Sequence, residues 1–370
     1  MSGSAPPRPR ETASLLGHEA AERRLLDAWA CGRLPHAWLL TGPRGIGKAT
    51  LAYRLARFLL RNAGKAESIR PPQGLAVDPE DPVFRRVASG GHADLVTVER
   101  AWDDKRGRRR GEIVVDDIRG VGAFLRLTPA EAGWRVVVVD SADEMNPNAA
   151  NALLKCLEEP TERAVLLLIS HAPGRLLATI RSRCRRLTLK PLSDQVVARI
   201  VKQHYPEMSA PDVGALAGLA EGSAGRALAL AAEGGLAVYR ELAALLNRLP
   251  AVDGEALHAL GDKLARPGAD ALWQAIGELL RGWLVRAVRT GVLGPAGAHE
   301  AVAGEAEAMR RLAGPGPGAA SGLDRWVEVW EKTDRLLGQS DTANLDRKQV
   351  LLDVFFALES AARSGPSALA

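Results

Sequence analysis

With 46% hydrophobic residues among 370, the chain has the apolar mass for two or three folded domains. Its 49 Lys and Arg against 44 Asp and Glu leave a formal charge of +5, a lean toward acidic partners such as nucleic acid that is too mild to decide anything alone. Three scattered cysteines, Cys31, Cys156 and Cys184, argue against a disulfide framework and against a four-ligand zinc site, so no zinc is expected and the expected compartment is a reducing cytoplasm. No apolar run reaches the roughly 18 residues of a membrane span, which excludes a membrane partner at this level. The Pro- and Arg-containing start, Met1 to Ser14, lacks an apolar signal core and reads as a disordered tail.

From Leu15 to Trp29 apolar residues recur at helical spacing, and Gly32 to Pro35 breaks the pattern before a strand at Ala37 to Leu40. That strand enters Leu39-Leu-Thr-Gly-Pro-Arg-Gly-Ile-Gly-Lys-Ala-Thr50, where helical spacing resumes and continues to Leu60. Gly42, Gly45 and Gly47 allow positive φ and close backbone approach, so successive N–H groups can curl around a phosphate chain while the Lys48 ammonium meets its outer oxygens. The glycines alone also fit an ordinary strand-to-helix turn; the lysine in register favours a P-loop. The next position, where a Ser or Thr hydroxyl would hold Mg²⁺, is Ala49. Thr50 belongs to the candidate nucleotide-binding set, but one residue along a helix turns the side chain by about 100°, so it does not replace that hydroxyl.

Residues 63–82 form a polar, Pro-containing insertion, followed by a short helix at Val83 to Ala88. Asp94 to Arg100 alternates as a strand, Trp102 to Gly111 is a charged tip, and Glu112 to Val115 reads as a strand before a helix at Asp116 to Leu125. The tip's Lys-Arg-Gly-Arg-Arg-Arg run suits either a solvated hairpin end or a contact to DNA; only Trp102 offers a stacking surface. The β-branched run of Trp134 to Asp140 suits a parallel strand buried on both faces, and it ends at the Walker B position, where Asp140 would orient Mg²⁺. The following residue, normally a carboxylate that activates water, is Ser141, a poor proton acceptor at neutral pH. Asp143 and Glu144 lie close by, and helix capping near Pro147 accounts for them better than catalysis.

A helix at Asn148 to Glu159 carries Cys156 on its apolar face as a small core residue. The next central strand, Ala164 to Ser170, brings Ser170 and His171 toward the same pocket. After Leu177 to Ile180 come Arg181-Ser-Arg-Cys-Arg-Arg186 and a strand-like Leu187 to Leu189. A solvated helix end and a functional arginine cluster are equally open readings of these residues taken alone.

Three stretches together, residues 32–48, Asn151-Ala-Leu-Leu-Lys-Cys-Leu-Glu-Glu-Pro160 and Ser182-Arg-Cys184, resemble the bacterial clamp-loader AAA+ family. The resemblance covers about residues 15–235 and continues beyond them only in helical character. It implies an α/β P-loop domain with a parallel sheet at 15–190, a small helical lid at 191–235 and an all-helical collar for oligomerisation at 236–363; the end at 364–370 reads on its own residues as a second disordered tail. It further implies that Arg183 projects into a neighbouring subunit's ATP site, where a guanidinium supplied in trans stabilises charge on the γ-phosphate. Ser170 falls at the sensor position ending a strand, and Arg226, in Glu221-Gly-Ser-Ala-Gly-Arg226, at the lid sensor arginine. Two departures from the family pattern stand out. The zinc module expected between the P-loop helix and the second strand has no cysteines here, and the catalytic pair is altered to Ala49 and Ser141. The second departure places the chain nearer the weakly or non-hydrolysing subunits than the gamma motor.

Pro191 to Glu233 is helical with small residues, Gly234-Gly235 is a linker, and amphipathic helices fill Leu236 to Ala362, interrupted by a flexible Ala313 to Gly318. Trp273, Trp283, Trp326 and Trp330 lie at helical spacing and suit core burial better than interface contacts. The leading expectation is a component of the DNA polymerase III holoenzyme that binds ATP weakly at best, donates Arg183 to a partner and assists loading of the sliding clamp onto primer-template DNA. Its implied partners are the gamma/tau and delta subunits of a hetero-oligomeric ring. The competing expectations are a self-sufficient P-loop ATPase, such as a gamma-like motor, and a small-molecule P-loop kinase, the latter opposed by the helical carboxyl third.

Overall fold

The computed structural model describes residues 6–62, 74–104, 108–131, 133–266, 268–294, 300–313, 324–343 and 345–364. The chain divides into two compact units, the first built from 7–196 with 222–225 and the second from 197–221 with the chain from 226 onward. Most of the residues read as lid and collar therefore share one unit.

The first unit begins with α1 (Glu19–Ala30), β1 (Ala37–Thr41), α2 (Lys48–Arg61) and α3 (Pro82–Ser89). Then come β2 (Leu95–Val98), a small hairpin of β3 (Trp102–Asp103) and β4 (Arg108–Arg109), and α4 (Val115–Arg126). It closes with β5 (Arg135–Val139), α5 (Pro147–Glu158), β6 (Ala164–Ser170), α6 (Ala178–Arg183) and β7 (Arg185–Thr188). Five strands form one sheet in the order β2-β5-β6-β1-β7, every pair parallel.

The valine run of β5 shows why the sheet forms. Val136 and Val138 join one apolar cluster with Leu51, Leu55 and Leu59 of α2, while Val137 and Val139 join another with Val121 of α4 and Leu153 of α5. Alternate side chains leave opposite faces of a strand, so a strand covered by helices on both sides needs apolar residues at every position. Each such side chain contributes about 1.5–3 kcal/mol of burial. The register then sets the pocket: Thr41, the last residue of β1, lies opposite Ser170 of β6 and Thr188 of β7, so the loop after β1 leaves the sheet beside the end of β6.

Several predicted details change. Glu112 to Val115 is not a strand; Ile113 makes one isolated bridge to Met145, because its amide is taken by the Glu144 carbonyl and its carbonyl by Asn146. Capping of α5 falls to Asn146, whose side chain accepts from the Ala149 amide at 2.9 Å, with Pro147 at the first helical position. Asp143 and Glu144 are not the caps. Part of the start read as a disordered tail is packed: the buried Arg57 donates to the carbonyls of Arg10 at 2.8 Å and Thr12 at 2.7 Å, and Arg54 donates to that of Ala13. Residues 63–73 of the insertion, 105–107 of the charged tip, 314–318 of the flexible stretch and 365–370 of the final tail lie outside the described residues.

The second unit is helical, with α7 (Asp194–His204), α8 (Ala210–Ala220), α9 (Ala224–Ala232), α10 (Gly235–Asn247) and α11 (Gly254–Leu264). They are followed by α12 (Asp270–Leu293), α13 (Glu305–Ala313), α14 (Asp324–Ala343) and α15 (Arg347–Arg363). Trp273, Trp283 and Trp326 are buried, Trp330 is half-buried, and the rings of Trp283 and Trp326 meet edge-on at 6.4 Å. A buried polar knot ties α10, α12 and α13: Arg286 donates to the Glu305 carboxylate at 2.7 Å and to the Tyr239 hydroxyl at 2.5 Å, and Tyr239 donates to Glu305. Among the described residues no helix is long and apolar enough to cross a membrane.

Candidate nucleotide site and arginine end

The loop after β1 has the backbone that its glycines predict. Gly42, Gly45 and Gly47 take φ values of 140°, 71° and 106°, a region L side chains avoid. A Cβ on Gly42 would also collide with the Leu189 carbonyl oxygen. Lys48 opens α2, only 3% exposed, and its ammonium donates to the Gly42 carbonyl at 2.7 Å and to that of Pro43. Burial pushes the Lys48 pKa down to about 8, against the pull of the Asp140 and Asp143 carboxylates, while the Arg44 charge pushes it further down. The lysine that would meet a phosphate is thus satisfied by the loop's own carbonyls. Ala49 packs against the apolar cluster on the α2 side of the sheet, and Thr50 is half-buried in the first helical turn.

Two supports of this loop left no signal in the sequence. His18, just before α1, donates from Nε2 to the Ile46 carbonyl at 2.6 Å, with its pKa lowered by burial. The Gly225 amide donates to the Gly45 carbonyl at 2.8 Å, and a Cβ at Gly225 would stand 3.0 Å from the Gly45 Cα. A histidine or glycine so far away in the chain has no spacing relation to the motif that would mark it.

The strand ends supply the rest. Asp140 follows β5 with its pKa raised by burial and by the Glu99 charge, Lys48 acting in the opposite direction. Ser141, in the left-handed region at φ 63°, places its hydroxyl 3.1 Å from His171 Nε2. Burial, then the Lys48 and Arg44 charges, hold the His171 pKa down to about 4, so at neutral pH its imidazole is uncharged and weakly basic. Where a carboxylate is expected after the strand, Ser141 instead pairs its hydroxyl with the His171 ring. Ser170 is fully buried at the end of β6.

Asp143 fastens this corner. Its carboxylate accepts from the amides of His171 at 2.9 Å and Ala172 at 3.1 Å; burial raises its pKa, and hydrogen bonds from the His171 amide, its own backbone and Ser170, with the His171 charge, leave it lowered. Glu144 accepts from Arg44 of the P-loop and lies 2.8 Å from Arg100 Nε, joining the loop to the chain after β2. Both carboxylates serve tertiary partners, which is why neither caps α5.

The structure brings Gly42, Gly45, Gly47, Lys48, Thr50, Asp140 and Ser170 to one end of the sheet. Arg183 stands at the exposed end of α6, its Nη1 donating to the Thr179 carbonyl at 3.2 Å and its Nη2 lying 2.9 Å from Glu158 Oε1. Arg226 lies in the second unit, on α9, and donates to the Glu278 carbonyl of α12 at 3.3 Å. A nucleotide would find the loop amides and Lys48 for its phosphates; the residues for Mg²⁺ fit poorly, because Ala49 has no oxygen to offer. Cys31 is exposed, Cys156 half-buried and Cys184 buried, and among the described residues no three His, Cys, Asp or Glu side chains converge as a metal site.

Residues 17–193 match the family described as DNA polymerase III, delta subunit. The chain is 42% identical over 149 residues to DNA polymerase III subunit delta' of Pseudomonas aeruginosa, covering 40% of this chain and 41% of that protein. Subunit delta' of Bacillus subtilis is 33% identical over 172 residues, covering 46% and 47%. Subunit tau of Escherichia coli is 30% identical over 227 residues, covering 60% and 33%. In each case the match spans less than half of the relative's length. A solved gamma subunit-related protein of Thermotoga maritima aligns with a TM-score of 0.43 at 18% identity, covering 94% of this chain and all of that one. With its P-loop on a five-stranded parallel sheet and its Ser182-Arg-Cys184 motif, the chain resembles the bacterial clamp-loader AAA+ family, and its residues 17–193 are similar to subunits of DNA polymerase III.

Proposed function

We propose that this chain is a delta prime-type subunit of the cytoplasmic DNA polymerase III clamp loader, one that hydrolyses ATP weakly or not at all and lends Arg183 to the ATP site of a neighbouring subunit. The observation that carries this reading is the division of labour within the first unit. Ala49 and Ser141 stand where a Mg²⁺ hydroxyl and a base carboxylate are expected, whereas Arg183 is held at the exposed end of α6. A planar guanidinium reaching a γ-phosphate from outside supplies charge where the transition state develops it, without any need for local turnover. The neighbours in this reading are gamma/tau and delta subunits, the helical second unit provides the ring contacts, and the sliding clamp and primer-template DNA are reached through the complex.

The test is a reconstituted complex carrying Arg183→Ala, with assembly checked by gel filtration and hydrolysis measured with clamp and DNA present. An assembled complex that loses stimulated hydrolysis supports the proposal; normal stimulated hydrolysis makes Arg183 an ordinary surface arginine. The gamma-like motor reading expects instead robust turnover by the isolated chain, which Ala49 and Ser141 oppose.

A further inference from the structure

We infer that Glu158 is a positioning residue for Arg183, fixing the guanidinium in the plane and direction in which it meets a neighbour's phosphates; this rests on the trans role proposed for Arg183. Glu158 is the last residue of α5 and Arg183 the last residue of α6, so the two helix ends meet at this pair. Arg183 Nη2 lies 2.9 Å from Glu158 Oε1, and its Nη1 donates to the Thr179 carbonyl one turn back at 3.2 Å. The two anchors act on the two terminal nitrogens, which fixes the rotation of the fork as well as its place. The pair remains open to another chain, with side chains 37% and 49% exposed.

A helix C-terminus carries partial negative charge and favours Lys or Arg, yet α5 ends on Glu158 followed by Glu159. An acid at that end opposes the helix dipole unless a cation answers it, and the cation that answers Glu158 is Arg183. A residue that breaks a local rule while meeting a functional side chain is where a tertiary role is expected. The effect on rate follows from entropy: an arginine on the surface samples many rotamers, and a carboxylate that holds it near its working geometry spares the complex that ordering step. The carboxylate does not touch the phosphates, so its loss should leave nucleotide affinity alone.

The experiment uses the reconstituted complex with ATP, clamp and primed DNA, comparing Glu158→Ala, Glu158→Gln, Arg183→Ala and the double variant Glu158→Ala with Arg183→Ala. Expected is a roughly two- to tenfold fall in stimulated kcat for Glu158→Ala, in the range of coupling between neighbouring side chains, with KM for ATP unchanged. Glu158→Gln should fall between wild type and Glu158→Ala, and the double variant should be no slower than Arg183→Ala alone. If Arg183→Ala has no effect, the proposed function itself is wrong. If Arg183→Ala slows hydrolysis but Glu158→Ala leaves kcat unchanged, raises it, or adds independently to the loss, the positioning role is overturned while the trans arginine stands. Unchanged thermal melting of the Glu158→Ala chain keeps a kcat loss from being read as unfolding.

Discussion

The P-loop pocket and the end of α6 treat a cation in opposite ways. Lys48 is 3% exposed, shifted by burial to a pKa of about 8 and bonded to carbonyls of its own loop. Arg183 is partly exposed and held by one carboxylate and one carbonyl at a helix end. Both cations are held by their own chain, and what separates them is exposure: a neighbouring molecule can meet Arg183 at the surface, whereas Lys48 is reached only by a ligand seated in its loop. In this chain the motif lysine is turned inward, and the arginine is the cation displayed outward.

The largest expected effect comes from breaking the outward side. Arg183→Ala should lower clamp- and DNA-stimulated hydrolysis of the assembled complex by up to roughly 10³ to 10⁵ when that site limits the cycle, and by less when other sites share the work. Arg183→Lys should recover little, because an ammonium keeps the charge but loses the planar fork. Steady-state ATPase of the two variants beside wild type measures both effects.

On the inward side, Asp143→Asn should destabilise the chain by about 1–3 kcal/mol, since the amides of His171 and Ala172 lose a charged acceptor. The carboxyl pKa is lowered in the folded chain, so its stabilisation is fully present above the unfolded value of about 3.9 and fades as pH falls through the folded value. Urea unfolding at a series of pH values should show that acid loss in wild type and a shallower one in the variant. Gly42→Ala sharpens the same side: at φ 140° and against the Leu189 carbonyl, the added Cβ should cost about 1–3 kcal/mol, read by denaturant melts.

The smallest effect is expected from the residue the motif advertises most. Lys48→Ala should leave stimulated hydrolysis of the complex close to wild type, because the reacting nucleotide sits on a neighbour in the proposed function. The isolated chain should show little turnover with or without the lysine. Robust turnover by the wild-type chain that vanishes in Lys48→Ala would reverse the comparison and make this site the motor.

Elements whose signal is local were legible before folding. The valines 136–139 announced a strand buried on both faces because the alternation of side chains leaves no position for a polar residue. Gly42, Gly45 and Gly47 announced their positive φ because only glycine adopts it freely, and Ala49 announced a missing hydroxyl and Ser141 a missing carboxylate because side-chain chemistry is read one residue at a time. Glu112 to Val115 misled, since its β-branched residues lie where the neighbouring chain offers a single bridge.

Sequence by itself determined the P-loop, the order of strand and helix, the altered catalytic pair and the Ser182-Arg-Cys184 motif. Tertiary structure alone decided that Lys48 is satisfied by its own loop, that Asp143 and Glu144 fasten loops instead of capping α5, that His18 and Gly225 brace the P-loop, and that Glu158 meets Arg183. These contacts join residues that no helical or strand period relates, and the choice among acceptors for a charged side chain is settled by which of them the packed sheet and its helices bring within reach.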